Sequence, residues 1–443
     1  MSDDMATTGS TRVRKTTLTA PSARAPQRSR PELGCSVVDA AGGAHGLFRD
    51  DQSREDRMPE IRRPQTIAAR HGVACETEFG AVAPPLYLTS TFSFDCFDAP
   101  KVHEYSRTSN PTRDQLGEAL ALLEGGAGAV VVSSGMAAVD LVLSRLAPGE
   151  IIVAPHDCYS GTRRLLELRA GKGHFEAVFA DQSDQGAVEA AFSRKPKLIL
   201  IETPSNPLLR VVDIALLAEQ ARNVGALVAV DNTFLSPALQ NPIALGADFV
   251  THSTTKYLNG HSDVVGGAVV CATKDDAAEL SAWANATGVV GSPFDAYQTL
   301  RGLRTLFPRI ERQQQNAAAI AAFLSEQAQV ARVWYPGLTS HPGHDIAARQ
   351  QRGYGAMLSF EVTGDLEIVA SFLEALRVFT LAESLGGVES LVAHPATMTH
   401  SSMSAEARLS AGIGDNLVRL SVGLEAEADL IEDLAQALFH ACP

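Results

Sequence analysis

The chain lacks most of the features that would set it apart from ordinary globular proteins. Its six cysteines, Cys35, Cys75, Cys96, Cys158, Cys271 and Cys442, are scattered, and no two form a C-x-x-C pair. That spacing offers neither a zinc knuckle nor a disulfide framework, and it points to a reducing, cytoplasmic compartment. No apolar run reaches the length of a membrane span. Basic residues are outnumbered, 37 Lys and Arg against 51 Asp and Glu, and the net charge is −14. With no basic stripe to offset that sign, neither nucleic acid nor an anionic membrane is an expected partner. Neither G-x-G-x-x-G nor G-x-x-x-x-G-K-[ST] occurs, which argues against a dinucleotide or a nucleoside triphosphate. His341-x-x-His344 and the pair His394/His400 have no nearby cysteine or helical H-E-x-x-H, so no metal is expected. What remains is ordinary: 443 residues, 45% hydrophobic and 20% charged, enough for two or three packed units.

Charge divides the chain unevenly. Residues 1–57 hold nine Lys/Arg and eight Asp/Glu, a net of +1, which leaves −15 for the rest. This stretch is rich in Ser, Thr, Arg and Ala and has no hydrophobic period, so a disordered extension is expected. It has no apolar core of a secretory signal. The acid-free run from Met5 to Pro31 resembles a transit segment, but Asp50, Asp51, Glu55 and Asp56 do not; a start at Met58 is the simpler expectation.

From Pro111 onward the pattern alternates. The apolar runs Ala129–Val132, Ile151–Val153, Phe175–Phe179, Leu198–Ile201, Leu227–Val230 and Phe249–Val250 are separated by helical stretches. These include Pro111–Glu124, Arg163–Leu168, Gly186–Phe192 and Ile214–Asn223. Short, wholly apolar strands between helices predict an α/β fold with a mostly parallel sheet covered on both faces. Beyond Arg312 a long helix, Gln313–Gln327, a strand at Met357–Val362 and a closing helix, Ala426–His440, predict a smaller α+β C-terminal domain.

In an open α/β sheet, ligands bind at the carboxyl ends of the strands. The first run ends in Ser133-Ser134-Gly135-Met136 and passes into a helix, a turn able to hold an anion on free N–H groups. Alone, it reads equally as a tight turn. A second run ends in Asp231, an acid whose burial needs a cationic partner. A third ends in His252-Ser253-Thr254-Thr255-Lys256, a lysine behind a cluster of hydroxyls. An anion cradle, a carboxylate and an amine on one rim make the set that pyridoxal phosphate requires.

The surrounding residues resemble the trans-sulfuration family of pyridoxal phosphate enzymes. Ser253-Thr254-Thr255-Lys256-Tyr257-Leu258-Asn259-Gly260-His261 resembles its cofactor-lysine segment, and Tyr105-Ser106-Arg107 with Asn110-Pro111-Thr112 resembles the arm that reaches a neighbouring subunit's phosphate. The similarity runs from about Gln65 to the C-terminus. The runs Ala154–Tyr159, Ser205–Asp213 and Leu381–Ser390 are similar to the family's bacterial γ-synthase branch. The resemblance implies the aspartate-aminotransferase-like (type I) fold, with residues 58–110 as an arm, 111–312 as a cofactor-binding domain and 313–443 as a small domain. It also implies a homo-oligomer, a tetramer of two active-site dimers.

Residue by residue, the resemblance implies that Lys256 holds the cofactor and then acts as a mobile base, with Asp231 pairing the pyridine nitrogen. Gly135, Met136, Ser253 and Thr255 would hold the phosphate, joined by Tyr105 and Arg107 from the partner chain. Tyr159 would stack on the ring and assist proton transfer, with Asn206 near the ring oxygen and the substrate carboxylate. Arg419, beside Ser384, would clamp the α-carboxylate. Glu383, Glu104 and Arg164 would contact substrate, Arg164 at the distal carboxylate of a succinyl group. The activity implied joins an O-acylhomoserine and cysteine into cystathionine; a cystathionine γ-lyase or an O-acylhomoserine sulfhydrylase are the alternatives on one scaffold. Glu104 stands where Asp is usual, Thr108 where a second arginine would follow, and Arg163 where an aromatic residue is expected. Those departures leave succinyl favoured and acetyl open. Cys158 reads as buried and inert rather than as a redox thiol.

Overall fold

A computed structural model of the chain describes residues 63–441, except positions 77, 402, 404, 405, 407, 409 and 410. The expected extension, 1–57, lies outside the described residues. Seven strands form the larger sheet: β1 Gly128–Val132, β2 Ile151–Pro155, β3 Glu176–Ala180, β4 Leu198–Glu202, β5 Leu227–Asp231, β6 Phe249–Ser253 and β7 Gly267–Cys271. Their order is β1-β7-β6-β5-β4-β2-β3. Pairings are parallel from β6 through β3, and only β7 runs against its neighbours β1 and β6. Two successive reversals leave β1 pointing the same way as β6. The carboxyl ends of β1, β2, β4, β5 and β6 therefore share one rim.

Each wholly apolar strand feeds two cores by alternation, as a period of two requires. Leu198 and Leu200 face a layer with Leu141, Leu166 and Leu280, whereas Ile199 and Ile201 face Val188, Ile214 and Leu217. The expected helix Pro111–Glu124 has those bounds. Asn110 starts it by accepting from Thr112 N and Arg113 N, and Gly125 ends it in the left-handed conformation (φ 75°). Strand β7, with the run Ala268-Val269-Val270-Cys271, was not among the strands expected.

A second sheet holds β8 Val330–Trp334, β9 Met357–Val362, β10 Thr380–Leu381, β11 Leu391–Ala393 and β12 Leu417–Ser421, in the order β10-β11-β12-β9-β8. Helices Leu366–Ala375 and Glu427–Ala441 supply Val369, Phe372, Leu430 and Leu434 to its core, where the Phe360 and Phe372 rings meet edge to face at 5.7 Å. The helix expected from Gln313 begins earlier and spans Leu306–Ser325, so it runs through position 312. Its Leu306, Ile310, Ile320 and Leu324 all enter the one core shared with Leu116 and Phe360. The change in patterning after Arg312 is thus not a break in the chain path. Among the described residues, no helix is long and apolar enough to cross a membrane.

One buried carboxylate ties the helix to the rim. Glu124, 1% exposed, accepts from Asn232 Nδ2 at 2.8 Å and Asn241 Nδ2 at 3.2 Å, and lies 2.7 Å from His252 Nε2. Asn232 follows Asp231, and His252 precedes Ser253. Removing the acceptor leaves His252 Nε2 without a partner and takes one bond from each amide, which keep Gln240 O and Leu123 O, so Glu124→Ala is expected to cost about 3 kcal/mol in urea denaturation. A loss under about 1 kcal/mol would show that the cluster does not hold the rim.

Candidate active site

The shared rim opens on a cavity of about 510 Å³. Ser134 caps the helix Gly135–Leu143 by accepting from Ala137 N at 3.1 Å, which leaves the first amides of that helix without intrahelical acceptors. The turn needs glycine at its first helical position. A Cβ on Gly135 would lie 2.7 Å from Ser253 Cβ, so the helix could not come this close to the end of β6. Gly135, Met136, Ser253 and Thr255 all line the cavity, and Thr255 Oγ1 is pinned by Gly266 N at 3.0 Å. Together they form a cradle for an anion.

Asp231 lines the same cavity at the end of β5. Burial pushes its carboxyl up, opposed by hydrogen bonds from Thr233, whose N donates to Asp231 Oδ1 at 2.9 Å. Among the described residues, no side chain pairs with it as a cation. Lys256 leaves the turn after β6, and its Nζ donates to Ser384 Oγ at 2.7 Å. Burial first, and then the Arg419 charge, pull this amine down to about 8, with Glu383 pulling the other way.

Arg419 sits in the middle of β12, in register with Ser359 on β9 and Ala393 on β11. Its Nη1 donates to Asn206 Oδ1 and its Nη2 to the Ser384 carbonyl, both at 2.9 Å, while Nε has no partner. Burial lowers the guanidinium to about 10, so it stays charged at neutral pH. Among the described residues, no carboxylate stands within ion-pair distance of it. Ser384 serves both cations from a left-handed backbone (φ 87°), a strained conformation that persists where surrounding contacts over-determine it.

Tyr159, Asn206, Arg164, Glu383 and Ser384 line the cavity as well. The two adjacent arginines separate. Arg163 turns away, with Nε on Glu167 at 2.9 Å and its guanidinium 4.2 Å over the Phe179 ring. Arg164 has no hydrogen-bond or ion-pair partner among the described residues. Glu104, Tyr105 and Arg107 do not reach the cavity of their own chain; Arg107 Nη1 donates to Asn285 O and Oδ1 at 2.7 and 2.8 Å. Cys158 is 2% exposed, and burial drives its thiol well above the ordinary range.

Sequence reasoning missed two groups. Glu202, the last residue of β4, lines the cavity, and its signal was the same one that singled out Asp231: an acid closing an apolar run. Met398, Thr399 and Ser401 form part of the wall, with Thr399 O accepting from Ser160 Oγ at 2.8 Å. Nothing periodic in the sequence marks that segment.

An anion cradle, an unpaired buried acid and a depressed lysine on one rim of a mostly parallel sheet define a pyridoxal phosphate enzyme of the aspartate-aminotransferase-like class. The comparisons with known proteins agree in detail. The chain belongs to the family described as Cys/Met metabolism PLP-dependent enzyme, whose model matches residues 65–439. It is 56% identical over 374 residues to cystathionine γ-synthase of Escherichia coli (strain K12), covering 84% of this chain and 97% of that protein. It is also 45% identical over 376 residues to cystathionine γ-lyase of Bacillus subtilis (strain 168), covering 85% and 99%. Its fold matches a crystal structure of cystathionine γ-synthase from Xanthomonas oryzae pv. oryzae in complex with cystathionine. That match has a TM-score of 0.85 and 56% identity, over 86% of this chain and 99% of that one.

The depressed lysine has a direct consequence, because only the neutral amine attacks an aldehyde. Loading of the apoprotein with pyridoxal phosphate, followed by the growth of its visible absorbance, is expected to accelerate with rising pH through a midpoint near 8. A midpoint near the ordinary lysine value of about 10.4 would contradict the geometry described.

Proposed function

We propose that the chain joins an O-acyl-L-homoserine, the succinyl ester first among them, to L-cysteine, giving L-cystathionine and the free acid. The reading places it in methionine and cysteine trans-sulfuration in the cytoplasm. The observation that carries it is a single cavity with two guanidiniums, Arg419 and Arg164, neither of which has a carboxylate of the described residues within ion-pair distance. An O-succinylhomoserine has a carboxylate at each end. The names of the Escherichia coli and Xanthomonas oryzae relatives support the same reading.

Bound pyridoxal phosphate supplies the electron sink that makes the substrate's α-proton removable. The chain's residues do the rest. Gly135, Met136, Ser253 and Thr255 would hold the phosphate, and Asp231 would pair with the ring nitrogen. Among the described residues the Asp231 carboxyl has no cation, which a protonated ring nitrogen would provide. Arg419, steadied by Asn206 and the Ser384 carbonyl, takes the α-carboxylate as a fork. Arg164 takes the distal carboxylate. Lys256 Nζ, held by Ser384 Oγ and neutral just above pH 8, moves the α- and β-protons. Tyr159, which lines the cavity, would stack on the ring. The γ-carbon–oxygen bond breaks as the acyl group leaves as its acid, and the cysteine sulfur forms a bond to the same γ-carbon.

The active unit in this reading contains at least two copies of the chain, and two such dimers make a tetramer. The arm, residues 58–110, leaves Val82, Leu88, Phe97 and Val102 between 68% and 99% exposed, a patch that a second copy would cover. Tyr105, Arg107 and Glu104, which do not reach their own cavity, then serve the neighbour's. Residues 111–312 hold the cofactor, and 313–443 supply the substrate clamp.

Three incubations test the assignment: O-succinyl-L-homoserine with cysteine, the same ester alone, and cystathionine alone. Cysteine-dependent formation of cystathionine, from a species no smaller than a dimer in sedimentation, is the expected result. Consumption of cystathionine without cysteine-dependent synthesis would reassign the chain to γ-lyase chemistry, and an active monomer would refute the shared site.

A further inference from the structure

Glu202 ends a strand whose other four residues are apolar and buried. It lines the cavity, yet none of the described lysines, arginines or histidines pairs with it. Both of its oxygens are spent on backbone amides: Oε2 accepts from Tyr159 N at 2.8 Å and Oε1 from Asn206 N at 3.3 Å. Its register partner on β5 is Asp231. Burying a carboxyl without a cation costs free energy that an apolar residue at this position would avoid. Folding alone does not explain it.

We propose that Glu202 is a positioning residue that fixes the backbone of Tyr159 and of Asn206 relative to Asp231, and so sets the ring-facing aromatic and the carboxylate clamp together. The three residues come from different loops and strands: Tyr159 after β2, Asn206 after β4 and Asp231 on β5. Among the described residues, Glu202 is the one side chain that bonds the first two while standing beside the third. From Asn206 the connection continues, because Arg419 Nη1 donates to Asn206 Oδ1 at 2.9 Å. One carboxyl thus reaches the guanidinium clamp through one intervening residue. Burial and the neighbouring Asp231 charge push Glu202 well above the usual carboxylate range.

The inference rests on the cofactor site and the substrate described above, and its test separates the two. Holoenzyme carrying Glu202→Ala or Glu202→Gln is compared with the unaltered protein for KM toward O-succinyl-L-homoserine and for the visible-region circular dichroism of the bound cofactor. Glu202→Ala is expected to raise KM roughly tenfold and to weaken the visible dichroism, since both amides lose their acceptor. Glu202→Gln keeps one acceptor oxygen and is expected to fall between. Unaltered KM and dichroism in both variants would overturn the proposal. If Glu202→Ala yields no folded holoenzyme, Glu202→Gln decides alone: a KM raised about threefold or more supports the role, and an unchanged one overturns it. An unaltered protein that takes up no cofactor, or has no activity on this ester, would instead refute the reading on which the inference stands.

Discussion

Two cations, Lys256 and Arg419, share one cavity, and no carboxylate of the described residues is bonded to either. Ser384 is what makes that tolerable: its hydroxyl accepts from the amine and its carbonyl from the guanidinium, from a backbone held at φ 87°. The arrangement leaves the lysine partly discharged and the arginine charged. Those are opposite requirements, one for a base and one for an anion clamp, met by groups that differ in how readily they give up a proton. Glu383 lines the same cavity, and its charge favours the protonated form of both cations. Asp231 and Glu202 lie at the ends of adjacent parallel strands, where the proposed ring nitrogen would stand. Both acids and the Lys256 turn reach one cavity because the strands that carry them run parallel in the larger sheet.

The sheet achieves this with ordinary materials. Wholly apolar strands bury both faces, and only their last residues are free to be polar. The short strand β7 reverses twice between β6 and β1 and so returns the Gly135 turn to the rim that holds Lys256. Glu124 then braces the rim from behind. The net charge of −14 has little to do with a cavity whose described lining sets Arg164, Lys256 and Arg419 against Glu202, Asp231 and Glu383. Composition ruled out nucleic acid and membrane as expected partners, but the strand ends pointed to the anionic ligand.

Much of this was legible in residues. The helix Pro111–Glu124 announced itself through an Asn cap, a proline at its first position and a closing glycine. The apolar runs marked six of the seven strands of the larger sheet. Strand β7 escaped because four small and apolar residues between a glycine and an alanine look like a continuation of a loop. The helix Leu306–Ser325 was started too late because Arg309, Arg312 and the glutamines interrupt its apolar stripe; in three dimensions Arg309, Gln313 and Asn316 are buried, each bonded to backbone carbonyls. Such pairings depend on distant partners that no local window contains. Glu202 carries the same local signal as Asp231, but its bonds to the amides of Tyr159 and Asn206 depend on loops that meet only in the fold. The distinction between Arg163 and Arg164 comes from the resemblance, and the fold adds that Arg163 lies over Phe179 while Arg164 lines the cavity.

The central proposal is that Lys256, the one described lysine that lines the cavity, holds the cofactor. Reduction of the holoprotein with borohydride, digestion and mass mapping of the pyridoxyl-bearing peptide test it directly. The modification is expected on Lys256 alone, within Ser253-Thr254-Thr255-Lys256-Tyr257. A modified lysine elsewhere, with Lys256 unlabelled, would contradict it.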